Sequence, residues 1–184
     1  MKNSSDAIVD ELNMISANVR EKFGSLSAEQ INWKPAADSW SVGQCLEHLI
    51  KSNELYFGEF EKLAAGTRKN SFLETWSPAK FFAGKLLISS LKKDGQKVKT
   101  IPSMVPPSEI DGRIVETFAE HNADVAAKIK AAENADWRTT VITSPFMKAI
   151  TYRLGDALEI MIEHEKRHIR QASRVTQAEE FPAS

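Results

Sequence analysis

The sequence predicts an all-α fold, a four-helix bundle with a long crossover between its second and third helices. Four long stretches carry apolar residues at spacings of three and four, the period of an amphipathic helix. The stretch between the second and third of them is rich in lysine and proline and has a poorer pattern. Convincing strand alternation is absent: Thr139 to Thr143 is the only β-branched run, and a lone strand has nothing to pair with.

The first predicted helix runs from Ala7 to Phe23, with its large apolar residues on one face. Gly24 follows it and suits the end of a helix. Ser27 and Gln30 then form a weak capping box, and Pro35 stops any helix that begins there. We therefore expect a short turn and a loop after the first helix.

The second predicted helix begins after Ser41, because Gln44 three residues later completes a capping box. Its apolar arc continues up to Gly66. The crossover extends from Thr67 to Pro107 and is expected to carry one helix, which Pro78 opens.

The last two predicted helices follow the crossover. Ser108 can cap the third, which ends near Ala132. The fourth spans roughly Thr151 to Gln177. A chain of 184 residues fits one domain, since domains average about 150 residues, so we expect a single domain over residues 1–184.

Composition excludes several classes of protein. Lys plus Arg is 24 and Asp plus Glu is 25, so the net charge of -1 argues against a general nucleic-acid binder. The basic stretch from Lys80 to Lys99 is expected to be a solvated surface of the crossover. Residues Met1 to Asp10 lack the apolar stretch of a secretory signal, and the sequence has no apolar run of about 20 residues that could span a membrane. The single cysteine, Cys45, has no disulfide partner. We expect a cytoplasmic protein without a nucleic-acid or membrane partner.

Two histidines of the fourth predicted helix are candidates for metal binding. His164 and His168 lie four residues apart, so their side chains are neighbours on one face and can reach the same ion. At about 100° per residue, both fall on the apolar face of the helix. The charged residues of this helix map to the opposite, solvated side. The alternative is a purely structural role, as a pair of hydrogen-bonded core histidines that bind no metal.

A catalytic metal site usually has three protein ligands, so a third ligand is needed. The sequence offers His48 on the second predicted helix, His121 on the third, and the carboxylates of Glu47 and Glu165. Both histidines lie at the margin of their apolar arcs, so periodicity does not choose between them. The two glutamates adjoin histidines, but adjacent residues point about 100° apart on a helix.

Two stretches of the chain resemble the DinB-like (DinB/YfiT) family of four-helix-bundle proteins. The first is Trp33-Lys34-Pro35 followed by Trp40-Ser41-Val42-Gly43-Gln44-Cys45-Leu46-Glu47-His48-Leu49. The second runs from Ser144-Pro145-Phe146 through Leu154-Gly155-Asp156-Ala157 to His164-Glu165-Lys166-Arg167-His168-Ile169-Arg170-Gln171. The order and spacing of the predicted elements resemble the family over nearly the whole chain.

The resemblance implies a metal ion, often zinc or nickel, held by one histidine of the second helix and two of the last. By matching position these ligands are His48, His164 and His168. His121 lies outside the family pattern, which leaves it as a residue at the edge of the core or behind the ligands. Cys45 is expected to be a small core residue, and the four tryptophans are expected to cover the ends of the bundle.

The resemblance also implies a class of chemistry. Characterised members of the family use such a metal to activate low-molecular-weight thiols for transfer or isomerisation, so we expect a small-molecule substrate of that kind. Metal-assisted hydrolysis is an alternative, as is a non-enzymatic, stress-related binding module that forms a homodimer through an exposed helix face. The sequence assigns no catalytic residue beyond the ligands.

Overall fold

The computed structural model describes residues 5–93 and 101–183 and is mostly helical, with two short strands. Two short 3-10 helices, Pro78–Phe81 and Pro102–Met104, lie in the crossover. The remaining elements are α1 (Ser5–Phe23), α2 (Ala28–Asn32), α3 (Val42–Glu54), α4 (Phe57–Ala64), α5 (Phe72–Trp76), α6 (Ala83–Leu91), α7 (Ile114–Ala131), β1 (Val141–Thr143), β2 (Thr151–Arg153) and α8 (Leu154–Thr176).

The two capping boxes that the sequence predicts are formed. The Ser27 hydroxyl accepts from the Gln30 backbone N–H at 3.2 Å at the start of α2. The Ser41 hydroxyl accepts from the Gln44 backbone N–H at 3.1 Å at the start of α3, and the Gln44 side chain accepts from the Ser41 N–H in return. These caps satisfy backbone donors that a helix leaves unpaired at its first turn.

The core lies between the long helices. Helix α1 packs against α7 and α8, and α3 also packs against both. Fully buried apolar residues from each of these helices meet there: Leu12, Val19, Leu46, Leu49, Phe118, Val125, Leu154 and Ala172. The helices that bear the three candidate ligands, α3 and α8, are thus direct neighbours.

The second and third predicted helices differ from the observed ones. The second is interrupted at Leu55 and Tyr56, so it forms α3 and α4 instead of one helix to Gly66. The third begins at Ile114 and not after Ser108. The cause is visible at Ile110, whose backbone N–H and carbonyl both bind the Asn32 side chain at 2.8 Å, which holds this segment as a turn.

The prediction that the chain has no paired strand is wrong. Strand β1 pairs antiparallel with β2, with Ile142 opposite Tyr152. The sequence pattern places Thr151 in the last helix and so hides the partner strand, whereas the helix begins at Leu154. The hairpin continues directly into α8, and the Leu154 N–H donates to the Thr140 carbonyl at 2.8 Å.

The crossover carries two α-helices, α5 and α6, where the sequence predicts one, and Pro78 opens a 3-10 helix ahead of α6. Helix α6 packs against α8. Gly84 is required at this contact, because a Cβ there would lie 2.5 Å from the Cβ of Asp156. Part of the predicted polar run from Lys92 to Thr100 lies outside the described residues. Within the described part of the chain, every helix is too short or too polar to cross a lipid bilayer.

Candidate metal centre

Three histidines from two adjacent helices converge. His48 comes from α3, and His164 and His168 come from successive turns of α8. One ring nitrogen of each lies within 4.8 Å of the others. The ring centroids are 4.7 Å apart for His48 and His168, 4.7 Å for His164 and His168, and 5.2 Å for His48 and His164. The structure thus brings together the three predicted ligands in a group that could hold a metal ion.

A backbone carbonyl of the crossover sets the orientation of the His48 ring. His48 is buried, and its Nδ1 lies 2.9 Å from the Met104 carbonyl oxygen, a distance at which the ring N–H donates. This bond favours the tautomer with a free lone pair on Nε2. The Ser52 hydroxyl lies 3.5 Å from Nε2, at the limit of hydrogen bonding. Nε2 of His48 is therefore available to an ion.

Trp40 covers two of the three rings. Its indole stacks on His168 at 5.6 Å with an interplanar angle of 22°, and its centroid lies 4.9 Å from that of His48. Trp40 immediately precedes Ser41, so the capping box of α3 also fixes the chain next to the indole. This packing holds the imidazoles in place and limits the access of water to them.

All three imidazoles are neutral at physiological pH. Burial lowers the pKa of His164 to about 3, with further lowering by His48 and Arg167. Burial also lowers the pKa of His168 well below its usual value and lowers that of His48. Neutral imidazole is the form that binds metal ions, so no proton has to leave before an ion binds.

The residues present fit a divalent transition metal. Imidazole nitrogens suit zinc, nickel, copper and iron, whereas magnesium and calcium prefer oxygen ligands. Within the described residues, the buried Nδ1 of His168 has no hydrogen-bond partner, which leaves the ring's bonding capacity unfilled. Three neutral ligands would leave an ion its full charge and an open position, as in catalytic zinc sites.

Three other candidates from the sequence lie outside this group. His121 stacks on Phe57 at 5.5 Å, and burial lowers its pKa to about 4. Glu47 pairs with Lys51 on its own helix at 3.5 Å. Cys45 is fully buried, and burial raises the pKa of its thiol to about 12, so it is inert as a nucleophile. It is the core residue that the sequence predicts.

Glu165 is also absent from the group, but it lies in a polar cluster that sequence reasoning missed. It is fully buried and accepts hydrogen bonds from Asn53 of α3 and Asn122 of α7. Burial raises the pKa of its carboxyl group to about 7, although both hydrogen bonds oppose the rise. The signal in the sequence is an asparagine on the apolar face of each partner helix, Asn53 on α3 and Asn122 on α7.

The pKa shifts predict that acid destabilises the metal-free protein. The pKa of His164 is about 3 in the folded state and near the ordinary 6.5 in the unfolded chain. Between these values the unfolded chain binds the proton, so the free energy of unfolding falls as the pH drops from about 6.5 toward 3. Glu165 has the opposite effect, because its pKa is raised in the folded state. The stabilisation that it contributes is fully present below about pH 4.5 and is lost as the pH rises through about 7.

The measurement is the thermal midpoint of the chelator-treated protein between pH 7.5 and 5. We expect wild type to lose stability with acid more steeply than a His164→Gln variant, which has no imidazole to protonate. Matching pH profiles for the two proteins would contradict the assigned burial of this ring.

Fold and site together define a mostly helical protein with a three-histidine group where two neighbouring helices face each other. The family model of the DinB superfamily matches residues 12–172, and the chain belongs to this superfamily. Comparison with curated proteins and with solved structures finds no match.

Proposed function

We propose that the protein binds a divalent metal ion, zinc or nickel, through His48, His164 and His168. The observation that carries this proposal is the convergence of three neutral imidazoles with one nitrogen each within 4.8 Å of the others. We further propose that α1, α3, α7 and α8 form the four-helix bundle typical of the superfamily, and that residues 1–184 are one domain.

The reaction we favour is activation of a low-molecular-weight thiol for transfer or isomerisation. A bound divalent metal acts as a Lewis acid, which lowers the pKa of a thiol or water at its open position. The chain's own contribution is to orient the ligands: Met104 fixes the tautomer of His48, and Trp40 packs on the rings. A cytoplasmic location agrees with a reduced thiol substrate and stays a prediction.

Metal-assisted hydrolysis of an ester or amide has less support, because it needs a positioned general base. Glu165 is the buried carboxyl group next in sequence to a ligand, and both of its oxygens accept hydrogen bonds from asparagine amides. Its carboxyl group is held by α3 and α7 and lies outside the three-histidine group, so it is not placed as that base.

Thiol binding is tested by thermal shift with cysteine and glutathione as probes. We expect these thiols to raise the melting temperature of zinc-loaded protein by several degrees, and to leave chelator-treated protein and a His168→Ala variant unchanged. Serine and S-methylglutathione serve as controls that lack the free thiol. Equal melting-temperature shifts by the thiols with and without metal would contradict the thiol proposal but not the proposed metal binding.

The second candidate is a dimeric interaction module, which an exposed apolar surface on the crossover favours. We call it the crossover surface; its members are 59% to 80% exposed: Phe72, Trp76, Phe81, Phe82 and Leu86. Phe72 and Trp76 contact each other, and Lys80 lies over the Phe81 ring while its Nζ donates to the Thr75 carbonyl at 2.6 Å. With about 200 Å² per aromatic side chain, the four aromatic members alone expose on the order of 500 Å², near the upper range for apolar patches on monomers.

A homodimer through the crossover surface predicts that a charge placed there dissociates it. We expect wild type to sediment as a dimer, and Phe82→Glu to sediment as a monomer at the same concentration. Met14→Glu is the matched control, because Met14 is 59% exposed on α1 and is not a member of this surface. A monomeric wild type would contradict the homodimer.

A further inference from the structure

Glu165 connects three helices through its two carboxyl oxygens. Oε1 accepts from Nδ2 of Asn53 on α3 at 2.7 Å, and Oε2 accepts from Nδ2 of Asn122 on α7 at 3.1 Å. Glu165 is 0% exposed, and each asparagine is 1% exposed. We call these three residues the amide clamp. Because a buried carboxyl group without partners is unfavourable, both bonds have to form together with the native packing.

The amide clamp lies beside the metal centre on both of the helices that build it. Asn53 follows His48 by five residues on α3, which is about 7.5 Å along the helix axis. Glu165 directly follows His164 on α8 and precedes His168 by three residues. The clamp therefore joins the two ligand-bearing helices within two turns of every ligand.

Hydrogen bonds in the clamp are directional, whereas the apolar contacts around them are not. The burial of leucine and isoleucine side chains between two helices is favourable in proportion to the area removed from water and has no preferred direction. A rotation of α8 would move Oε1 of Glu165 out of line with Asn53 and leave buried polar atoms unpaired. The clamp thus selects one rotation and one axial register of α8.

We propose that Glu165, acting through Asn53 and Asn122, is a positioning residue that sets how α8 is placed against α3. By fixing that placement it keeps the nitrogens of His164 and His168 at metal-binding distance from His48. The inference rests on the proposed metal-binding function. Glu165 is not one of the ligands, because its carboxyl group lies outside the three-histidine group and accepts from the two asparagines.

A purely structural role would lower stability without changing the metal centre, so the test measures both. The disruptive variant is Glu165→Leu, which removes both acceptors. The conservative variant is Glu165→Gln: its carbonyl still accepts from one asparagine, and its amide can donate to Oδ1 of Asn122, which has no partner within the described residues. Ile129→Ala is the matched control, because Ile129 is buried two turns from Asn122 on α7.

The readouts are zinc affinity by competition with a chromophoric chelator, the visible spectrum of the cobalt(II)-loaded protein, and the thermal midpoint without metal. We expect Glu165→Leu to weaken zinc binding by about 10- to 100-fold and to shift the cobalt(II) bands. Glu165→Gln should stay within about threefold of wild type in affinity and keep its spectrum. Ile129→Ala should lower the thermal midpoint and leave affinity and spectrum unchanged.

Wild-type affinity and an unchanged cobalt(II) spectrum in Glu165→Leu would overturn the positioning role. Should that variant fail to fold, Asn53→Ala carries the test: it removes the α3 donor to Oε1 of Glu165, and unchanged zinc affinity there would overturn the role equally. A wild-type protein that binds no metal would overturn the proposed function and this inference together. If wild type binds metal and the clamp variants keep its zinc affinity and cobalt(II) spectrum, the positioning role is wrong but the proposed metal binding stands.

Discussion

Alanine in place of His48 or of His168 should abolish stoichiometric metal binding. His48→Ala leaves two imidazoles on α8, and His168→Ala leaves one on α3 and one on α8. A two-ligand site holds an ion far more weakly than a three-ligand site. Since losing a residue behind the ligands already costs about 10- to 100-fold in affinity, losing a ligand should cost more than about 100-fold. We expect about one ion per wild-type chain and little in either variant, measured by elemental mass spectrometry on tag-free protein.

His121→Ala is the control for this experiment. His121 has the same side chain and is also partly buried, but it stacks on Phe57 and is outside the three-histidine group. It should keep the metal content of wild type. Loss of metal in His121→Ala, or retention in His48→Ala, would contradict the assigned ligands. A wild type that takes up neither zinc, nickel nor manganese would leave only a histidine-bearing helical protein.

The two ligands on α8 could be predicted from the sequence because their geometry is local. A spacing of four on one helix places His164 and His168 on the same face, whatever the helix packs against. His48 could not be chosen in this way, since its place beside them depends on which face of α3 packs on α8. The resemblance to the DinB family supplied that choice, and the structure brings the three rings together.

The errors in the fold also come from non-local contacts. The chain between the crossover and α7 has a capping serine, Ser108, and helical spacing, but Asn32 binds both backbone groups of Ile110 and holds a turn there. Similarly, Thr151–Arg153 forms a strand because β1 offers it a partner. Local propensity cannot anticipate a hydrogen bond from a residue 78 positions away.

The amide clamp shows why adjacency to a ligand was a poor guide to the role of Glu165. Adjacent residues on a helix point about 100° apart, and Glu165 indeed lies outside the three-histidine group. The angle between neighbours on one helix does not say what the side chain meets instead. The partners are two buried asparagines on other helices, and only the packing of α3, α7 and α8 brings them to one point.

Zinc should raise the thermal midpoint of the protein strongly, and a chelator should reverse the rise. An ion that binds only the folded chain stabilises it by about 4.1 kcal/mol when its free concentration is 1,000 times the dissociation constant. For a chain of this size, each kcal/mol corresponds to about 2–4 °C, so we expect a rise of about 8–16 °C. Differential scanning fluorimetry of loaded and chelated protein measures it, and His164→Ala should show almost none of the shift.

The chelated protein should nevertheless remain helical at 25 °C, as seen by far-UV circular dichroism. Its core is built from apolar residues of α1, α3, α7 and α8 and does not depend on the three histidines. Structural zinc sites behave differently, because small zinc domains unfold when the metal is removed. A large thermal shift with retained helicity would indicate an ion that the folded protein binds but does not need in order to fold. Loss of helicity on chelation would instead make the ion a structural element and count against the thiol reaction proposed for it.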